Sequence, residues 1–172
     1  MKILITGATG SVGRFLIEEL SFTKHTILAL TRNAEKYESN DRITYVTGNL
    51  NDVNTFIDIL KEVDCIFLLL TSECDPNIIS AASNAGVKKI VGLSNGTKYL
   101  VEEYLKNYSQ EWTILYPVEF MKNVLLFWQD SIRHSQRVKS PFPEAPSAQI
   151  HERDIADVAA KVILESGHQH KS

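Results

Sequence analysis

Lys2-Ile3-Leu4-Ile5-Thr6-Gly7-Ala8-Thr9-Gly10-Ser11-Val12-Gly13 is the stretch whose reading decides the fold. Its apolar run, Ile3 to Ile5, has the length of a buried parallel strand and stops abruptly at Thr6-Gly7. A helical pattern follows, with apolar residues at Phe15, Leu16, Ile17 and Leu20. After a short polar break, a second apolar strand from Thr26 to Leu30 ends at Thr31-Arg32. Lys2 to Arg32 therefore reads as one strand-helix-strand crossover.

The three glycines have separate physical roles. Gly7 permits the tight turn off the strand, Gly10 keeps side chains away from an approaching pyrophosphate, and Gly13 lets the helix pack closely on the sheet. Phosphates would sit at the helix N-terminus among Thr9, Ser11 and Val12, where backbone N–H groups and the helix dipole favour an anion. A bare Gly-x-x-Gly-x-x-Gly can be an ordinary loop. Flanked by a strand and a helix, it points to a dinucleotide site.

The end of the second strand bears on which dinucleotide. An NAD site usually places Asp or Glu there to bind the ribose hydroxyls. This chain has Thr31, Arg32 and Asn33, with Lys36 one turn further on. Arg32 and Lys36 can pair with a 2′-phosphate that no carboxylate repels, so NADP(H) is expected in preference to NAD(H).

Strand and helix signals alternate through the rest of the chain. Ile43 to Val46 predicts a third strand running into Gly48-Asn49-Leu50, and Asp52 an N-cap for a helix carrying Val53, Phe56, Ile57 and Leu60. Cys65 to Leu70 is apolar throughout, as a central strand should be. Asp75-Pro76 opens a helix with Ile78, Ile79, Ala82 and Ala85 inward and Gly86 at its end. Lys89 to Leu93 is a fifth strand, Val101 to Tyr108 a helix, and Trp112 to Leu115 a sixth strand stopped by Pro117. The alternation predicts an α/β fold, a doubly wound parallel sheet of the Rossmann type formed by residues 1–172 as one domain. Further on, Glu119 to Ile132 predicts a helix rich in apolar residues, Arg133 to Ser147 an irregular loop with Pro141, Pro143 and Pro146, and Asp154 to Leu164 a last helix. The tail from Gly167 to Ser172 is expected to fray.

Composition excludes several function classes. The 172 residues carry a net charge of −3 with no long basic run, which argues against nucleic acid and against an anionic membrane surface. No apolar run approaches the length of a membrane span, and Met1-Lys2 leads straight into a core strand, leaving no room for a signal peptide. The cytoplasm is the expected location. Two cysteines without neighbouring histidines predict no metal site. Cys65 reads as a core residue, and Cys74 as a core or reactive thiol beyond the fourth strand.

The opening from Ile3 to Gly13 resembles that of atypical short-chain dehydrogenase/reductases, in particular the NmrA-like group with its quinone and azo-dye reductases. Further matches follow in order: Thr31-Arg32-Asn33, Gly48-Asn49-Leu50, Gly86-Val87-Lys88-Lys89-Ile90, Trp112 to Pro117, Phe120-Met121-Lys122-Asn123 and Arg153 to Asp157. Together they cover essentially the whole chain. The resemblance also has departures. Asn49 stands where the family commonly has Asp, and Tyr116 where Arg usually precedes the Pro. The Tyr-x-x-x-Lys pair of typical members is missing, since Glu103 follows Tyr99 at that spacing and Tyr108 follows Tyr104. Relatives, as the resemblance implies, carry a further substrate-binding lobe beyond this point, so that lobe is expected to be largely absent.

In a sheet of this kind ligands bind beyond the carboxyl ends of the strands. Thr71, Ser72, Ser94, Asn95 and the segment Pro117 to Asn123 are expected there, next to Asn49 and Leu50. Ser94, Lys98 and Tyr99 are the candidates for a polar catalytic role. Without a Tyr/Lys pair, quinone reduction is favoured over carbonyl reduction, which benefits from a positioned acid. Two functions follow. One is an NADPH-dependent reductase of small electrophilic acceptors. The other is a non-catalytic redox sensor that binds NADP(H) and a regulatory protein partner. The apolar helix near Phe127 and Trp128 is the expected surface for a partner or a homo-oligomer.

Overall fold

The structure is a computed structural model and describes residues 1–97, 99–138 and 148–172. The strands β1 (Lys2–Ile5), β2 (Thr26–Thr31), β3 (Ile43–Thr47), β4 (Cys65–Leu70), β5 (Lys89–Ser94) and β6 (Glu111–Leu115) form one parallel sheet in the order β3-β2-β1-β4-β5-β6. The crossovers carry α1 (Gly13–Ser21), α2 (Ile57–Leu60), α3 (Asn77–Ala85) and α4 (Leu100–Lys106). The order reverses between β1 and β4, so the connections on either side of that point diverge and leave a crevice at the strand ends.

A parallel sheet must be covered on both faces, and the strands have apolar side chains for each. Ile3, Ile5, Ile27, Phe67 and Val91 pack with Leu16 and Leu20 of α1 and with Ile155, Ala156 and Ala159 of a C-terminal helix, Glu152–Leu164. Leu4, Leu28, Ile66, Leu68 and Ile90 face the other way, onto Leu60, Ile78, Ala82 and Leu105. Each such side chain contributes about 1.5–3 kcal/mol when fully buried. Gly86 ends α3 at φ +80°, and Asp75 Oδ1 accepts from the Asn77 N–H at 3.0 Å at its start, as the sequence predicts. Asp52 caps less than expected. It accepts from the Asn54 N–H in a short 3₁₀ turn, Val53–Thr55, and only α2 follows.

The last third departs from the sequence reading in three places. The helix expected from Glu119 begins instead at Asn123, because Glu119–Phe120 form β7 and pair in parallel with β8, Gln149–Ile150. The Met121 N–H donates to the Ile150 carbonyl at 3.0 Å and the Lys122 N–H to buried Glu152 Oε1 at 3.2 Å, which fixes the start of α5 (Asn123–Ser135). Arg133 to Ser135, expected in a loop, belong to α5, whereas Pro141, Pro143 and Pro146 lie outside the described residues. The C-terminal helix, α6, starts at Glu152 rather than Asp154, since His151 Nδ1 accepts from the Arg153 N–H at 3.0 Å. The tail does not fray. The Ile114 N–H donates to the Lys171 carbonyl at 2.9 Å, the His170 N–H to the Trp112 carbonyl at 2.7 Å, and Thr113 Oγ1 to the His168 carbonyl at 2.6 Å, so residues 168–171 run along β6. Among the described residues no helix is long and apolar enough to cross a membrane.

Candidate functional site

The glycine turn is locked to the sheet at the switch point. Buried Thr6 donates through Oγ1 to the Phe67 carbonyl at 3.1 Å and accepts from the Leu69 N–H at 2.9 Å, joining the end of β1 to β4. Gly7 then turns at φ +61°, where a Cβ would lie 2.3 Å from Leu69 Cδ1. The Gly10 N–H donates back to the Gly7 carbonyl at 2.9 Å. At Gly13 a Cβ would fall 2.2 Å from Gly7 O and 2.9 Å from Ala8 Cα, so the close approach there is to the turn itself rather than to the sheet. Val12, at the cap of α1, makes no side-chain cap hydrogen bond, and the Arg14 and Phe15 N–H groups of the first turn donate to the Gly10 and Val12 carbonyls at 3.4 and 3.0 Å.

Two cavities meet over this turn. The larger, about 580 Å³, lies at the β2 end and is lined by Thr9, Arg32, Asn33, Lys36, Tyr37, Asn49, Leu50 and Glu73. The other, about 420 Å³, lies at the β5 end and is lined by Ser11, Val12, Gly13, Thr71, Ser94, Asn95, Pro117, Val118 and Phe120. Gly7, Gly10 and Leu69 line both. Every residue singled out from the sequence as a dinucleotide contact is thus at the cleft except Ser72, which is not in the lining. Lys98 lies outside the described residues.

At the β5 end Ser94 is already engaged. Ser94 Oγ donates to Glu102 Oε2 at 2.9 Å and accepts from the Gly96 N–H at 3.1 Å. Glu102 is only 4% exposed and takes two further hydrogen bonds on Oε1, from Tyr116 OH at 2.5 Å and from Lys106 Nζ at 3.0 Å. Burial works to raise the Glu102 pKa, but the hydrogen bonds from Tyr116, Lys106 and Ser94 outweigh it and hold the carboxyl below its ordinary value. The Tyr116 phenol is pushed up by burial and by that carboxylate. Tyr99 OH accepts from Asn95 Nδ2 at 3.4 Å. Ser94 thus has its hydroxyl proton directed to Glu102, and Tyr99 is in the lining of neither cavity.

A sequence profile of the NmrA-like family matches residues 1–96, more than half of the chain. The chain belongs to the NmrA-like family. This NmrA-like chain is 28% identical, over 97% of its length, to a (4-alkanoyl-5-oxo-2,5-dihydrofuran-3-yl)methyl phosphate reductase of Streptomyces griseus. It is 30% identical, over 99% of its length, to an NAD(P)H azoreductase of Xenophilus azovorans. The chain spans 64% and 66% of those two proteins, just under two thirds of each. Among solved structures it is similar to an NADPH-dependent quinone oxidoreductase of Escherichia coli complexed with NADPH, with a TM-score of 0.84 at 26% identity over 99% of this chain and 67% of the other.

Several residues of this NmrA-like cleft are not apparent from sequence. Glu102 reads as one of two acidic residues in a first helical turn, and only the fold turns it inward to Ser94 and Tyr116. Tyr37 and Glu73 reach the β2 end from loops that carry no motif. Cys74 is buried, and that burial pushes its thiol up to about 12, so the reactive-thiol alternative gives way to a core role. Cys65 is likewise buried and pushed up to about 12.

Proposed function

We propose that this chain binds NADP(H) and reduces small electrophilic acceptors such as quinones. The observation that carries the reading is the two-ended cleft, cationic beside Arg32 and Lys36 and largely apolar beside Leu93, Pro117, Val118 and Phe120, with the uncapped start of α1 between. The residues present suit the cofactor. Gly10 lines both cavities with no side chain to stand in the way of a pyrophosphate, and Asn33 Oδ1 is a buried acceptor without a partner at the end where a ribose would lie. Arg32 and Lys36 offer charge to a 2′-phosphate and outnumber Glu73, the carboxylate in the same lining, which supports NADP(H) over NAD(H). Bound there, the nicotinamide supplies the hydride. The chain's own contribution is to orient the cofactor and to exclude water with the apolar wall at the β5 end. With Ser94 committed to Glu102, the site favours acceptors that need little proton donation, as the names of the azoreductase and quinone oxidoreductase relatives also suggest. NADPH titration of the purified chain, then oxidation of the bound cofactor by a quinone panel, tests both halves. Binding without oxidation by any quinone removes the enzyme, and failure to bind removes the cofactor.

One observation favours a second reading, a non-catalytic sensor that binds NADP(H) and a protein partner. None of the thirteen residues of α5 is buried, and Leu126 and Phe127 are each 70% exposed beside Val118 and Leu125. Tight NADPH binding without turnover, together with cofactor-dependent self-association or partner capture through α5, would support the sensor.

A further inference from the structure

Tyr37 directly follows the short 3₁₀ turn Ala34–Lys36 that brings Lys36 to the cleft. Its ring stacks on that of Tyr45 in β3, with centroids 4.8 Å apart and planes inclined by 19°. Tyr45 is itself held in place. It sits opposite Ala29 of β2, packs against the core, and donates its N–H to Ser39 Oγ at 3.0 Å. One face of Tyr37 is therefore backed by a half-buried ring that packs against the core. The residue remains 40% exposed and lines the cleft beside Arg32, Asn33 and Lys36. Next to it, Asn33 Oδ1 is buried without a hydrogen-bond partner, a costly state that an incoming donor would relieve.

Arg32 and Lys36 answer a phosphate, but neither explains a rigid aromatic ring and an unpaired acceptor at the same end. A purine nucleoside has both complements, a flat π-face for the ring and N–H or O–H donors for the acceptor. We infer that Tyr37, backed by Tyr45, is the platform on which the adenine of the cofactor stacks, with Asn33 Oδ1 accepting a hydrogen bond from the adenosine. The inference rests on the reading of this cleft as an NADP(H) site and deepens it at the adenosine end.

Calorimetric titration with NADPH and with 2′,5′-ADP, the adenosine half alone, tests it. Tyr37→Ala should weaken both ligands by roughly five- to hundredfold, the range for loss of one base-aromatic stack, whereas Tyr37→Phe should bind as the wild type does. Tyr37→Leu keeps apolar cover over Tyr45 without a π-face and should behave like Tyr37→Ala. Wild-type affinity for 2′,5′-ADP in Tyr37→Ala or Tyr37→Leu would overturn the platform while leaving the cofactor reading intact, because the wild-type protein would still bind NADPH. A wild-type chain that binds neither ligand overturns both. Circular dichroism of each variant identifies any loss of affinity that is a loss of fold, and Tyr37→Phe with alanine-like weakening in a folded protein would also sink the platform.

Discussion

At the β2 end of the cleft, groups stand ready for something that is not part of the chain: two cations, an unpaired Asn33 oxygen and an exposed face of Tyr37. Behind the β5 end a polar network is satisfied within the chain, with Ser94, Tyr116 and Lys106 all converging on Glu102. Unsatisfied polar groups cost stability and are kept where a ligand repays them, whereas a satisfied network stiffens its surroundings. The first end is thus suited to recognising a ligand by its charge and donors. The second holds the ends of β5 and β6 at a fixed separation and leaves an apolar wall.

The largest effect that would sharpen this contrast is at the turn between the ends. A Cβ at Gly10 already lies 3.1 Å from Gly7 O, and the rest of a valine would project where both cavities meet. Gly10→Val should abolish NADPH binding, by more than about a hundredfold, in a protein that still melts cooperatively. Unchanged affinity would break the idea of one continuous cleft.

Next comes the satisfied end. Glu102→Ala removes the shared acceptor and should cost about 2–3 kcal/mol, a figure reduced because Lys106 is half exposed, or roughly 5–10 °C in melting temperature. The network also has a pH signature. The folded Glu102 carboxyl titrates below its ordinary value of 4.5, so its contribution is complete above that pH and is lost as pH falls through the lower folded value. Glu102→Gln should flatten this part of the acid unfolding curve, and an unchanged curve would show that the carboxylate is not what ties the strands.

Arg32→Ala acts only at the open end. It should weaken NADPH roughly tenfold or more, since a charge-assisted phosphate contact contributes about 1.5–3 kcal/mol, and leave NADH nearly unaffected. Equal weakening of both would remove the main support for NADP(H). The smallest effect is expected for Tyr99→Phe, which removes a hydroxyl that accepts a 3.4 Å hydrogen bond from Asn95 and should change quinone turnover less than about twofold. Fast ketone reduction abolished by that change would make Tyr99 a catalytic acid and overturn the preference for acceptors that need little proton donation.

The open end was legible in the sequence because its parts are local. Gly7, Gly10 and Gly13 lie within seven residues of one another, and Arg32 and Lys36 are one turn apart at the end of an apolar run. The closed end was not. Ser94 was expected just past the fifth strand and is its last residue, but its state depends on Glu102 in α4 and Tyr116 beyond β6, contacts that no periodicity predicts. The same reason accounts for β7 and β8. A two-residue pairing between Glu119–Phe120 and Gln149–Ile150 leaves no pattern of its own, and Phe120 read as the first apolar residue of the following helix. The tail was illegible because its hydrogen bonds to β6 run through the backbone of polar residues such as His168, His170 and Lys171.

That tail changes how the sheet meets the outside. The outer margin of β6 is occupied by residues 168–171. The opposite margin, β3, has its Ile43 and Tyr45 N–H groups taken by Asn40 Oδ1 and Ser39 Oγ. A bare strand edge is a template for further strands, and here each margin is blocked by the chain's own neighbouring segment. Polymerisation by strand addition is therefore disfavoured in the folded protein. Trimming the last five residues would expose the β6 margin, and the first sign should be slow, seedable aggregation with cross-β character, ahead of any change in the cleft.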